Sequence, residues 1–113
     1  VWEILQTEEF GEWFSDLKDS VKEDIYANIT VLGVHGPTLG RPRVDTVKNS
    51  NHKNMKELRV QSSGNPYRVF FAFDPERRAI LIIGGNKKSD KRFYEKLIPI
   101  ADKLFDKYLE DLQ

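Results

Sequence analysis

Apolar positions recur along this chain at two different periods, and the change of period divides it into three stretches. Phe10, Trp13, Phe14 and Leu17 fall at i, i+3, i+4 and i+7, one buried face of a helix. Thr7 stands where it can cap that helix, and Glu8 and Glu9 lie in its first turn, where the helix dipole favours acids. Ahead of it, Trp2 to Leu5 reads as a short strand. Ser20 and Glu23 form a capping box for a second helix striped by Val21, Ile25, Ile29 and Leu32, which Gly33 and Gly36-Pro37 end. The two helices make an αα-hairpin.

Beyond the loop Thr38 to Pro42 the period falls to two. Arg43 to Lys48 is a predicted strand, and Asn49 to Asn54 a polar loop. From Lys56 to Gln61, Leu58 and Val60 face one way while Glu57, Arg59 and Gln61 face the other. Ser62 to Pro66 connects to a strong strand over Tyr67 to Phe73, in which Arg68 opposes Tyr67, Val69, Phe71 and Phe73. Asp74-Pro75 turns the chain. Ala79 to Ile83 is apolar on both faces, as in a central strand, and Gly84-Gly85 ends it. Ser89 or Asp90 caps a last helix striped by Phe93, Leu97, Ile100, Leu104, Tyr108 and Leu112, with a kink or break expected at Pro99. The predicted order β-α-α-β-β-β-β-α implies an α+β fold. An N-terminal strand and αα-hairpin precede a mainly antiparallel sheet and a C-terminal helix. Its helices are expected on one face of the sheet, leaving Glu57, Arg59 and Arg68 on the open one.

Composition narrows the chemistry. A chain of 113 residues is expected to be a single domain, residues 1–113, with one modest core. It has no cysteine, which removes disulfides, thiolate metal sites and thiol nucleophiles, and two histidines are too few for a His-rich metal centre. Carboxylate-bound Mg²⁺ is not excluded by composition, and no small-molecule cofactor is expected. The longest apolar run is far too short for a bilayer, and the start VWEILQTEEF is acidic, unlike a signal peptide. A cytoplasmic protein with no membrane partner is the expectation.

The balance of 18 basic and 18 acidic residues hides a segregation. Residues 1–24 carry two lysines against eight acids, net −6. Residues 41–59 carry six basic groups against two acids, net +4, and residues 77–96 seven against two, net +5. If the two basic blocks meet, they form a surface for a polyanion; if they do not, they are solvated faces.

Within those blocks, Arg59 and Arg68 lie on consecutive strands and point the same way. Guanidiniums suit phosphate, each offering a planar fork of donors that stays charged. Glu57 shares the face of Arg59 and is placed either as a general base or as a charge-balancing partner. Lys87 and Lys88 follow the glycine pair and precede a helix, an arrangement like a phosphate seat, although no P-loop motif is present. Tyr94 could stack on a base, deliver a proton, or serve as a half-buried tyrosine. His52, beside Lys53, is a candidate acid–base group or a solvated loop residue. Lys56, Lys91 and Arg92 complete the candidate polyanion-binding set with His52, Lys53 and Lys88. His35 reads as a turn residue, and neither histidine belongs to a nucleophile motif.

Taken in order, Met55-Lys56-Glu57-Leu58-Arg59, Pro66-Tyr67-Arg68-Val69 running to Phe73, Ile82-Ile83-Gly84-Gly85-Asn86-Lys87 and Phe93-Tyr94 resemble the RelE/ParE superfamily, most closely the HigB-like branch of type II toxin–antitoxin systems. The resemblance spans nearly the whole chain. It implies a ribosome-dependent mRNA endonuclease in which a 2′-OH attacks the adjacent phosphate without a metal. It also implies Arg59 and Arg68 as transition-state clamps, Lys87 or Lys88 as an added cation, Tyr94 as the aromatic that stacks or orients a base, and Glu57 as the base. The proton donor is open between His52 and Tyr94. The implied partners are the ribosome, its mRNA and a cognate helix-turn-helix antitoxin. Two rival readings remain: a ParE-like inhibitor of DNA gyrase, and an RNA-binding domain without catalysis.

Overall fold

Thr7 starts the first helix as the sequence requires: its hydroxyl accepts from the Phe10 backbone N–H at 2.9 Å. In a computed structural model describing residues 1–113, the elements are β1 (Glu3–Gln6), α1 (Glu8–Ser15), α2 (Asp19–His35), β2 (Val44–Thr46), β3 (Lys56–Ser62), β4 (Asn65–Phe73), β5 (Arg78–Asn86) and α3 (Phe93–Asp111), with one 3-10 turn at Gly36–Thr38. The strands form one sheet in the order β1-β5-β4-β3-β2. Only β1 runs parallel to its neighbour; every other pair is antiparallel. The α+β fold with a mainly antiparallel sheet is therefore as the hydrophobic pattern indicates.

The layering differs from expectation. Helices cover both faces of the sheet, not one. On the first face, α1 and α2 bury Phe10, Val21, Ile25 and Leu32 against Leu58, Val60, Val69, Phe71 and Leu81. On the second, α3 buries Phe93, Ile98, Ala101 and Phe105 against Phe70, Ala72, Ile80 and Ile82. The cause is visible in β4 and β5, whose residues are apolar on both sides and would leave a wide hydrophobic surface in water without a second cover. A register shift between Phe70 and Phe71 leaves Ile82 as the extra residue opposite them, which enlarges the apolar face that α3 covers.

Several boundaries move for local reasons. Helix α2 begins at Asp19 with Lys18 as its N-cap and no side-chain cap, so the Ser20–Glu23 capping box does not form. Strand β2 is only three residues long. Gly84 and Gly85 do not end β5 but lie within it. A Cβ on Gly84 would stand 2.2 Å from the Trp13 ring, and one on Gly85 2.8 Å from Phe93. The glycine pair is thus a packing device between two aromatic rings, not a phosphate cradle. Helix α3 starts at Phe93, after a turn in which the Asp90 carboxylate accepts from the Arg92 backbone N–H at 3.0 Å. It runs unbroken through Pro99. Its buried side is turned toward Ile98, Ala101 and Phe105, which leaves the expected stripe member Ile100 47% exposed.

Candidate active site

Cross-strand register assembles the site. Asp45 on β2 stands opposite Glu57 on β3, which stands opposite Phe70 on β4. In the next row Arg59 stands opposite Arg68. All of these side chains share the face that α3 covers, and they emerge where the first turn of α3 brings Tyr94 over Phe70, the two rings nearly parallel with centroids 6.1 Å apart. The polar cluster therefore sits under the rim of α3 and not on an open face.

Glu57 is its centre and is nearly inaccessible, at 4% exposure. Its Oε1 accepts from the Tyr94 hydroxyl at 2.7 Å, and its Oε2 accepts from Arg59 Nε at 3.2 Å and Nη2 at 3.1 Å. Arg59 also donates to Asp45 Oδ2 at 3.2 Å, as does Arg41 at 3.0 Å. The hydrogen bond from Arg41, then that from the Thr46 backbone N–H, with the nearby guanidinium charges, holds the Asp45 carboxyl below its usual range against the opposing effect of burial. Arg68 donates from Nη1 to the Tyr67 carbonyl at 3.1 Å. Its buried Nε has no hydrogen-bond partner, and Glu57 Oε1 lies 3.7 Å away, too far to serve. Burial, and then the hydrogen bond to Glu57, raise the Tyr94 phenol above its usual value, so it stays protonated at neutral pH. Lys87 Nζ lies over the Tyr94 ring, 5.2 Å from its centroid, a cation–π contact.

Next to this cluster opens a cavity of about 390 Å³ whose lining includes Arg41, Asp45, Lys48, Glu57, Arg59 and Tyr94. The arrangement combines a carboxylate that can take a proton, a phenol that can give one, and guanidiniums able to hold an oxyanion.

Of the residues singled out from sequence, Glu57, Arg59, Arg68, Lys87 and Tyr94 come together. The others do not join them. His52 Nε2 pairs with the Asp106 carboxylate oxygen Oδ1 at 2.6 Å, its ring edge-on to Phe105 on α3. Lys53 lies with it along a separate shallow cavity. Lys56 sits on the opposite face of β3, where register pairs it with Thr46, and its Nζ donates to the Thr46 hydroxyl at 2.9 Å. Lys88, Lys91 and Arg92 are exposed on the connection into α3, and Arg92 Nε donates to Glu95 at 3.0 Å. Arg41 and Asp45 were missed from sequence. The alternation of β2 against β3 could have placed Asp45 opposite Glu57, but a three-residue strand gives that register little support.

Against known proteins, the family model of phage-derived Gp49-like proteins matches residues 12–106. The chain is 43% identical over 108 residues to the candidate toxin HigB2 of Mycobacterium tuberculosis, covering 94% of this chain but 54% of HigB2, so it spans about half the length of that relative. It is 46% identical over 107 residues to the candidate toxin HigB3 of the same organism, covering 94% of this chain and 92% of HigB3. Among solved structures, the archaeal RelE–RelB complex of Pyrococcus horikoshii matches with a TM-score of 0.55 at 10% identity, over 78% of this chain and 97% of that one. The isolated RelE toxin of E. coli matches with a TM-score of 0.51 at 14% identity, over 88% and 99%. At such identities the two structures speak for the fold alone.

Proposed function

We propose, for a chain that belongs to the Gp49-like family of HigB- and RelE-type toxins, that it cuts mRNA on the ribosome and so arrests translation. The observation that carries this reading is the buried Glu57 carboxylate, shared between the Tyr94 hydroxyl and Arg59, beside an Arg68 Nε that lacks an acceptor. An unmet buried donor costs about 1–3 kcal/mol, and a phosphate oxygen is the kind of group that would meet it.

In this mechanism Glu57 takes the proton from a ribose 2′-OH. The freed oxygen attacks the adjacent phosphorus, forming a 2′,3′-cyclic phosphate as the bond to the 5′-oxygen breaks. Arg68 and Arg59 hold the charge that develops on the non-bridging oxygens, with Lys87 as a further cation nearby. The leaving 5′-oxygen takes up a proton. Tyr94 is the hydroxyl in contact with Glu57 and is assigned as its donor, whereas His52 is engaged by Asp106 away from the cluster. Substrate must displace the Tyr94–Glu57 hydrogen bond, so the free protein holds its base and acid against one another until RNA binds.

A toxin with this activity works in the cytoplasm, where translation takes place, and needs an antitoxin. The P. horikoshii RelE was solved with RelB, which supports an antitoxin partner, and the partner proposed for this chain is a small helix-turn-helix protein. No helix of the structure is long and apolar enough to cross a membrane. In a purified translation system the protein should cut mRNA within A-site codons. Intact mRNA together with poisoned DNA gyrase would overturn the reading in favour of a gyrase inhibitor on the same fold. Arg68→Ala should abolish growth arrest in cells; an equally toxic variant would show that binding alone is responsible.

A further inference from the structure

The backbone N–H of Arg59 donates to the carbonyl of Arg43 at 2.7 Å, and the β2–β3 register, continued by one residue beyond Val44↔Leu58, sets Arg43 opposite Arg59. Arg59 in turn stands opposite Arg68. Three arginines therefore occupy one row, Arg59 and Arg68 on neighbouring strands and Arg43 in the turn just before β2, a span of roughly 10 Å at the backbone given strand spacings near 4.8 Å. Like charges directly opposite one another destabilise a sheet.

Compensation along the row is uneven. Arg59 is held by Glu57 and Asp45, and Arg68 lies within 3.7 Å of Glu57. Arg43 has no carboxylate: its side-chain partner is the neutral Asn28 Oδ1, at 2.6 Å. The row borders a shallow cleft of about 350 Å³ lined by Pro42, Arg43, Arg59, Val60, Gln61 and Arg68, with no acidic residue among them. Arg59 also lines the cavity over Glu57, so one arginine borders both.

We propose that this cleft is a second phosphate subsite. Arg43, with Gln61 beside it, grips the mRNA phosphodiester next to the scissile one, while Arg59 and Arg68 hold the scissile group. The subsite rests on the nuclease reading and extends it from a catalytic cluster to a track for at least two successive phosphates. Guanidinium suits the task through its paired donors, and a flexible side chain tethered only to a neutral amide can leave it at little cost. The same chemistry would take a ribosomal RNA phosphate, so the test must separate the two sources.

The experiment measures single-turnover cleavage on ribosomes programmed with mRNA, using the unaltered protein, Arg43→Gln and Asn28→Ala, with a neutral methylphosphonate placed in turn at each linkage flanking the cut. Arg43→Gln is expected to raise the half-saturating protein concentration about tenfold, the worth of one charge-assisted contact, with the maximal rate within about twofold. Its log–log salt dependence should flatten by about 0.7. One flanking methylphosphonate should weaken the unaltered protein by a similar factor and add nothing to Arg43→Gln. Asn28→Ala, which frees Arg43, should bind no worse than the unaltered protein. Additive effects at every linkage would assign the contact to ribosomal RNA and overturn the subsite. So would Asn28→Ala reproducing Arg43→Gln, since Arg43 would then be only a clip to α2. If the unaltered protein cuts nothing, the nuclease reading itself falls, a result distinct from the other two.

Discussion

Replacing Glu57 by Gln separates the chemistry of the cluster from its architecture. The amide oxygen can keep the two donors of Arg59, now at 3.1 and 3.2 Å. The amide nitrogen would then face the Tyr94 hydroxyl, which can rotate to accept instead of donate. Geometry is therefore retained and charge is lost. Hydrogen bonds to charged groups contribute about 1 kcal/mol more than neutral ones, and two such contacts weaken, so a stability loss of about 2 kcal/mol is expected. Against a urea slope of about 1–3 kcal/mol per molar for a protein of this size, that lowers the midpoint by about 1 M with the slope unchanged. Catalysis should suffer more. Without a general base the cleavage step slows by about 10²–10⁴-fold, or about 3–5 kcal/mol of barrier. The assay is single-turnover cleavage on programmed ribosomes at saturating variant, with urea melting of the same preparation. A folded variant that cleaves within threefold of the unaltered protein would refute the role of Glu57.

Arg68→Lys keeps a charge but not the Nε–H donor, so it should cut at least tenfold more slowly than the unaltered protein under the same conditions. Gly84→Ala drives a methyl group to within 2.2 Å of the Trp13 ring and should lower the urea midpoint, by about 1–3 kcal/mol of stability, while a companion Trp13→Leu change relieves it. Tyr108 donates to Asp74 at 2.8 Å, and burial, then that bond, push its phenol from 10.0 up to about 12. The unfolded phenol ionises first, so stability present below pH 10 should fall as pH rises towards 12, and Tyr108→Phe should flatten that decline in alkaline urea melts.

Much of this fold was legible because its signals are local. Thr7, the stripe from Phe10 and the alternation at Leu58 and Val60 each specify their element without help from distant residues. The second cover was also written in the chain, in Phe70 and Ala72 facing away from Val69 and Phe71, yet it was outweighed by the polar series Glu57, Arg59 and Arg68 on that same side. One sheet face here is apolar at its centre and charged at its edge, and a period-two pattern averages over that difference. Most of the α3 stripe holds, with Phe93, Leu97, Leu104 and Tyr108 on the buried side, and Ile100 is the member misplaced, for a related reason. Apolar residues at both Ile98 and Ile100 fit a helical face, and only contact with Phe70 and Ile80 decides for Ile98. Within the site, Glu57 and the two arginines were readable from strand alternation alone. Asp45 and Arg41 were not, since they depend on a three-residue strand, and His52 was drawn in by its chemistry although Asp106, 54 positions away, holds it elsewhere.

The central claim is that Glu57, Arg59, Arg68 and Tyr94 together activate a ribose 2′-OH against its own phosphate. It is tested most directly by programmed ribosomes carrying mRNA with a single 2′-deoxy nucleotide on the 5′ side of the cut. Cleavage at that linkage should vanish while binding persists, and all-ribose mRNA should yield a 2′,3′-cyclic phosphate and a 5′-hydroxyl. Undiminished cleavage of the deoxy-substituted message, or fragments bearing a 5′-phosphate, would contradict the account.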